Sequence, residues 1–181
     1  LPEGPEWTYE LKLDGYRALI IKNGAAIQIR SRNDKDLTAM YPSVVTAGRR
    51  LEPERAIIDG EVVAVDEQGR PSFQALQHRG THPAHSIVFY AFDLLHLDDE
   101  DLTGLPLITR RAKLVRAVEK SGLLLSLELP GSVADIVSTV RAMQLEGVVA
   151  KRKDSLYEPG ERSGNWQKLK LERRQEFVVG G

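Results

Sequence analysis

"ELKLDGYRALI", residues Glu10–Ile20, is the stretch on which the reading of this chain turns. A lysine stands between two acids, an Asp-Gly pair follows, and an arginine then leads into an apolar run. Alternation along a strand places Leu11 and Leu13 on one face and Glu10, Lys12 and Asp14 on the other. Asp14-Gly15 lies between the strand-like segments "WTYELKL" and "YRALIIK", which predicts a hairpin. Asn23-Gly24 predicts a second hairpin into "AAIQIRS", so the N-terminal segment reads as an antiparallel meander. Lys12 is then either an ordinary surface charge or a nucleophile held among carboxylates. A lysine attacks an electrophile only when neutral, and carboxylates alone favour its charged form. The chemical reading therefore needs extra positive charge, from a metal or from other lysines.

Such charge is present further along. "WQKLK" sets Lys168 and Lys170 on one face of a strand, a pairing suited to a polyphosphate. Arg17 and Arg32 lie near the ends of the early strands and could act the same way. Acids for a hard cation are available in "DGEVVAVD", which aligns Asp59 and Glu61, and in "QLEGVVAK", where Glu146 precedes a strand. "FYAFDLL" puts Tyr90 and Phe92 on one strand face, where an aromatic is either core or a stacking platform for a base. Taken singly, each has an ordinary explanation: a solvated strand face, a surface acid, a core aromatic. His78, His82, His85 and His96 show no metal-ligand or triad spacing and read as surface residues.

Composition narrows the class. The chain has 181 residues, 41% hydrophobic and 28% charged, with a formal net charge of −1, as in a globular domain able to bury a core. It has no cysteine, which excludes disulfides, zinc–thiolate sites and thiol catalysis and suits a cytosolic protein. No apolar run is long enough to span a bilayer, so no membrane partner is expected. Charge is uneven: Asp93–Asp101 is acidic without any Lys or Arg, while Lys151–Arg174 is rich in Lys and Arg and permits contact with phosphate. Helices are predicted over "YPSVVTAGRRL", "SFQALQHR" with Ser72 as cap, "PLITRRAKLVRAVEK" and "SVADIVSTVRAMQ" with Ser132 as cap. "AIIDGEVVAVD", "SIVFYAFDLL", "GVVAKR" and "WQKLKL" read as strands. Helices among strands without regular alternation predict an α+β fold of largely antiparallel sheets flanked by helices.

The ordered set is more specific than any of its parts. "KLDGYR" (Lys12–Arg17) fits K-x-D-G-x-R. It is followed in order by "SR" (Ser31–Arg32), "DGE" (Asp59–Glu61), "FYAFDLL" (Phe89–Leu95), "EGVVAK" (Glu146–Lys151) and "WQKLK" (Trp166–Lys170). This set resembles the covalent nucleotidyltransferases: ATP-dependent DNA ligases, RNA ligases and mRNA-capping enzymes. Within them the chain looks most like the ligase domain of the bacterial end-joining ligases.

The resemblance implies a nucleotidyltransferase (ATP-grasp-like) adenylation domain over residues 1–175, with 176–181 opening a linker to an absent C-terminal OB-fold domain. It implies that Lys12 takes AMP from ATP and passes it to the 5′-phosphate of nicked double-stranded DNA. Lys168 and Lys170 would grip the α-phosphate. Phe92 would stack on adenine, and the Glu10 segment would read its edge. Glu61 would contact ribose or a metal, and Glu146 would help hold Mg²⁺ or Mn²⁺. Lys151 would join Lys168 and Lys170 at the α-phosphate, and Arg17 and Arg32 would bind nucleotide or the 5′-phosphate of the nick. Glu146 and Lys151 are five apart, so both can face the site only if Glu146 precedes its strand or a bulge intervenes. A monomeric, cytoplasmic, nucleoid-associated bacterial protein is implied, with a Ku-like end-binding protein as a candidate partner. The alternatives are an RNA ligase or capping guanylyltransferase, a two-metal phosphodiesterase using Asp59, Glu61, Asp93 and Glu146, and a non-catalytic nucleic-acid-binding module.

Overall fold

The Asp14-Gly15 pair is a crossing between sheets rather than a hairpin. In the computed structural model, which describes residues 1–77, 85–161 and 163–171, β1 (Trp7–Leu11) and β2 (Tyr16–Asn23) lie in different sheets. β1 pairs antiparallel with β8 (Gly147–Arg152), and β8 with β9 (Trp166–Lys170). β2 instead pairs with β3 (Ala26–Ser31) and with β4 (Arg55–Val65). The predicted meander therefore survives only as the β2–β3 hairpin, where Gly24 at φ 57° makes the two-residue turn. Gly15 allows the crossing chain to land flush on β4: a Cβ there would lie 2.1 Å from the Val62 carbonyl oxygen.

β5 (Ser86–Leu97) completes the centre of the large sheet, whose order is β3-β2-β4-β5-β6, with β6 at Glu100–Asp101. β7 (Leu124–Leu125) adds a parallel pair to β5; the other strand pairs are antiparallel. Two register shifts interrupt the β4–β5 ladder. Asp59 faces Asp93, and Gly60 faces Ala91, so Phe92 is the extra residue of a bulge. Alternation puts Phe92 on the face opposite Phe89 and Ala91; the bulge shifts the parity beyond it, so that Leu94 rejoins the core with Phe89 and Ala91.

The helices fall where their patterns place them. α1 (Pro42–Arg49) begins on proline, α2 (Phe73–Gln77) starts after Ser72, whose Oγ accepts from the Ala75 amide, and α3 (Leu107–Val118) follows Pro106. In α4 (Val133–Ala142) Ser132 Oγ accepts from the Asp135 amide at 3.2 Å, the N-cap expected of serine. His78, Arg79, His82 and the segment 176–181 lie outside the described residues.

Each sheet has its own apolar core. One face of the large sheet packs Ile20, Ile29, Ile58, Phe89 and Leu94 against α1 and α3. The small sheet packs Tyr9, Val148, Ala150 and Leu171 against Ile136 and Val140 of α4. Period-two alternation then sends the remaining faces toward each other. Glu10, Lys151 and Lys168 come from one side, and Arg17, Asp59, Glu61 and Phe92 from the other.

Candidate active site

Lys12 stands one residue beyond β1, where its amide donates to the Gly147 carbonyl at 2.9 Å and extends the ladder to β8. The side chain keeps the direction that alternation predicts, but its carboxylate partner is not a sequence neighbour. Lys12 Nζ is bonded to Glu146 Oε1. Glu146 directly precedes β8, which resolves the five-residue spacing to Lys151: strict strand parity does not apply to it. Glycine is required next to it, because a Cβ at Gly147 would lie 2.0 Å from the Leu169 carbonyl oxygen.

Positive charge surrounds this pair. Burial pushes the Lys168 ammonium below its ordinary value, and Arg17, Lys12 and Arg32 push it further down, against the pull of Glu61. Burial raises the Glu61 carboxyl to about 7, although Lys168, Arg17 and Lys12 all pull it down. Lys168 and Arg17 are the cations that share the surroundings of Glu61 with Lys12. Lys170 lies at the exposed end of β9, opposite Gly147, and its ammonium forms no hydrogen bond or ion pair among the described residues.

Arg17 is held rather than free. Its Nε and NH2 bond the two oxygens of Asp59 at 3.1 and 2.6 Å, and Tyr157 donates to Asp59 Oδ2 at 2.8 Å. The guanidinium carbon also lies 5.5 Å from the centre of the Phe92 ring and 5.7 Å from that of Trp166. Lys151 is buried; its Nζ donates to Glu10 Oε2 at 2.9 Å and lies 4.5 and 4.2 Å from the same two rings. Burial lowers the Lys151 pKa, with Glu10 opposing. Glu10 is also buried and takes Arg111 NH1 on its other oxygen at 2.8 Å. Phe92 is therefore no simple core residue: it is half-buried, edge-on to Trp166 at 5.7 Å, and flanked by cations.

Beside this centre opens a cavity of about 720 Å³, lined by Arg17, Arg32, Asp59, Tyr157, Trp166 and Lys168 among others. Arg32 is exposed on its wall. The sequence reading missed Tyr157, Trp166, Arg110 and Arg111. It also did not foresee that Asp59 and Asp93 are consumed by arginines, Asp93 by a buried fork from Arg110 at 2.8 and 2.8 Å. That occupation argues against the two-metal phosphodiesterase. Among the described residues no group of three His, Asp or Glu could hold a metal ion by itself. A smaller donor set does fit a hard cation: Glu146 Oε2 is buried without a hydrogen-bond partner among the described residues, and Glu61 is half-buried. Mg²⁺ typically uses one or two carboxylates and completes its shell with water and substrate phosphates.

The polar cleft between the two sheets, with a lysine amine at the crossing and a cationic wall, has the charge to receive phosphate groups. Residues 2–170 match the family described as ATP dependent DNA ligase domain, and the chain belongs to that family. It is 39% identical over 176 residues to the multifunctional non-homologous end joining protein LigD of Mycolicibacterium smegmatis, a match covering 97% of this chain and 23% of that protein. With DNA ligase C of Mycobacterium tuberculosis it shares 37% identity over 195 residues, 98% of this chain and 53% of the other. The crystal structure of the ligase domain of M. tuberculosis LigD matches with a TM-score of 0.81 at 38% identity, over 91% of this chain and 53% of that one. A mycobacterial DNA ligase D complexed with ATP matches equally, also with a TM-score of 0.81. The chain thus spans about a quarter of the LigD relatives and about half of ligase C.

Proposed function

We propose that this chain is the adenylating catalytic part of an ATP-dependent DNA ligase that acts in end joining and DNA repair. Lys12 is the nucleophile. Its Nζ attacks the α-phosphorus of ATP, the bond from that phosphorus to the oxygen bridging to the β-phosphate breaks, and pyrophosphate leaves. AMP remains on Lys12 through a P–N bond, and the departing proton has an acceptor in Glu146, which already bonds the amine. The AMP then passes to the 5′-phosphate at a nick in duplex DNA, and the 3′-hydroxyl displaces it to seal the strand.

The other residues take the roles their positions favour. Lys168 and Arg17 neutralise phosphate charge beside Lys12, an electrostatic contribution that is large in a water-poor site. Lys170 and Arg32 lie further out and meet the leaving phosphates or the nick. Phe92 offers its ring to adenine, and Lys151 and the Glu10 segment border the base. Glu146 and Glu61 would hold Mg²⁺ or Mn²⁺, which when bound supplies charge to the phosphate oxygens and favours the neutral amine. A C-terminal OB-fold domain would follow these residues in the whole protein, with a Ku-like end-binding protein as recruiting partner and a monomer as the working form in the bacterial cytoplasm, at the nucleoid.

The observation that carries this reading is Lys12 bonded to Glu146 and surrounded by Lys168 and Arg17 at the crossing between the sheets. Nick sealing tests it. Nicked DNA with ATP should be joined by the wild-type protein and not by Lys12→Ala, while GTP and nicked RNA serve poorly. Sealing by Lys12→Ala at the wild-type rate would remove Lys12 from the chemistry.

A further inference from the structure

The cavity that Arg17 lines also carries a tyrosine that no motif accounts for. Tyr157 follows β8 in a segment docked on the start of α3. The Leu107 and Ile108 amides donate to the carbonyls of Ser155 and Lys153, each at 2.9 Å, and Arg110 NH1 donates to the Ser155 carbonyl at 3.0 Å. The Tyr157 amide donates to the Thr103 carbonyl at 3.0 Å, and its ring centre lies 5.9 Å from the Arg110 guanidinium carbon. Backbone and ring are thus mounted on α3 and the turn before it, which pack on the large sheet.

The far end of the side chain bears on Arg17 through one carboxylate. The Tyr157 hydroxyl donates to Asp59 Oδ2 at 2.8 Å, the oxygen that also takes Arg17 NH2 at 2.6 Å, while Oδ1 takes Arg17 Nε at 3.1 Å. Asp59 is 1% exposed, so bulk water does not replace a missing donor. Burial and the Asp59 charge push the Tyr157 hydroxyl above its ordinary value, with Arg17 opposing, so it stays protonated and donates. An aspartate carboxylate turns within a broad well about its last bond. The arginine fork fixes guanidinium and carboxylate relative to each other, but leaves the two able to swing together. A third donor, mounted on a different element, fixes both to the frame. Neither bond to Asp59 uses Arg17 NH1, so the fork can be held and still present a nitrogen to a phosphate.

We propose that Tyr157 is a positioning residue for Arg17: its hydroxyl locks the Asp59 carboxylate and so aims the guanidinium at the phosphate that Arg17 serves. The inference rests on the proposed function above, which gives Arg17 its phosphate. Tyr157 acts through Asp59 and touches no reacting atom. A cation held in place contributes more than a mobile one, because no reorganisation is needed as charge develops.

The test compares Tyr157→Phe, Arg17→Lys and the double variant with wild type in two single-turnover assays. One follows AMP loading of the protein from ATP and Mg²⁺ or Mn²⁺ by intact mass. The other follows sealing of a nick that already carries AMP on its 5′-phosphate. Tyr157→Phe keeps the ring and the bond to Thr103, and urea unfolding should find it folded. It should slow the step or steps that Arg17→Lys slows by roughly 10-fold, the worth of one hydrogen bond to a charged group, and leave any other at the wild-type rate. In the double variant the tyrosine change should add less than about 2-fold to Arg17→Lys, since residues that act as one unit are not additive. A Tyr157→Phe protein at the wild-type rate in the step that Arg17→Lys slows overturns the proposal. So does a loss in a step that Arg17→Lys spares, or full additivity in the double variant. A purely structural tyrosine moves the urea midpoint and neither rate, which also overturns it. A wild-type protein that takes up no AMP refutes the proposed function instead. An Arg17→Lys protein unchanged in both steps removes Arg17 from the phosphates, and this inference with it.

Discussion

Replacing Arg110 by methionine tests whether α3 is fastened to the large sheet by charge or by apolar packing. Arg110 and Asp93 are both 0% exposed. The guanidinium gives two nitrogens to Asp93 at 2.8 Å and its third to the carbonyls of Leu105 and Ser155. Arg110→Met leaves a buried carboxylate with the Leu94 amide as its remaining hydrogen-bond donor, and two carbonyls lose a donor. Removing one partner of a buried pair costs about 3–5 kcal/mol, a large part of the roughly 5–15 kcal/mol that holds a domain together. Urea unfolding should show a lower midpoint with an unchanged slope. Arg110→Met combined with Asp93→Leu removes both charges and should recover most of the loss, to within about 1–2 kcal/mol of wild type. The single variant should also regain stability as the pH falls. Burial already pushes the Asp93 carboxyl up against the pull of Arg110, and without Arg110 the folded state holds the Asp93 proton to a higher pH than the unfolded chain does. A single variant costing under about 1 kcal/mol, or a double variant as unstable as the single, would refute the reasoning.

Two other changes address the cleft. Gly15→Ala forces a methyl against the Val62 carbonyl oxygen and the Glu61 side chain, and should cost about 1–3 kcal/mol as overpacking does; an unchanged melting temperature would mean the crossing is loosely seated. Glu61 is held protonated up to about 7 in the folded state, against an ordinary value of 4.5. The folded state binds more protons between those values, so stability falls as pH rises through that window and levels off above it, by at most about 3 kcal/mol. Glu61→Gln should remove this slope and gain on wild type between pH 5 and pH 8 in parallel unfolding titrations; superimposable profiles would contradict the burial of its charge.

Local signals in the sequence proved reliable where the physics is local. Helix starts at Pro42, Pro106 and Ser132, the turn at Asn23-Gly24, and the face that Glu10 and Lys12 share all follow from short-range rules. Pairing across the chain was not legible. Asp14-Gly15 has the chemistry of a hairpin, yet β1 finds β8 more than a hundred residues away, because alternation fixes which face is polar and not which strand lies alongside. For the same reason the partner of Lys12 could be guessed only as a neighbouring acid, whereas it is Glu146. Of the residues that the ligase-type motifs single out, Arg17, Arg32 and Lys168 line the cavity, while Glu146 bonds Lys12 and Lys151 lies over the Phe92 ring beside it. Arg110 and Arg111 lie outside those motifs. Their one signal was positional: they sit three and four residues after Leu107, inside the apolar stripe completed by Leu114 and Val118. Charges in such a stripe need buried partners, and the sequence does not say which.

The central claim is that Lys12 carries AMP, and the intact mass of the protein tests it most directly. The purified protein is cleared with pyrophosphate, then incubated with ATP and Mg²⁺ or Mn²⁺, and weighed at each step. The account predicts a gain of one AMP, mapped to Lys12, reversed by pyrophosphate and absent from Lys12→Ala. No adduct, or an adduct that persists in Lys12→Ala, would contradict it.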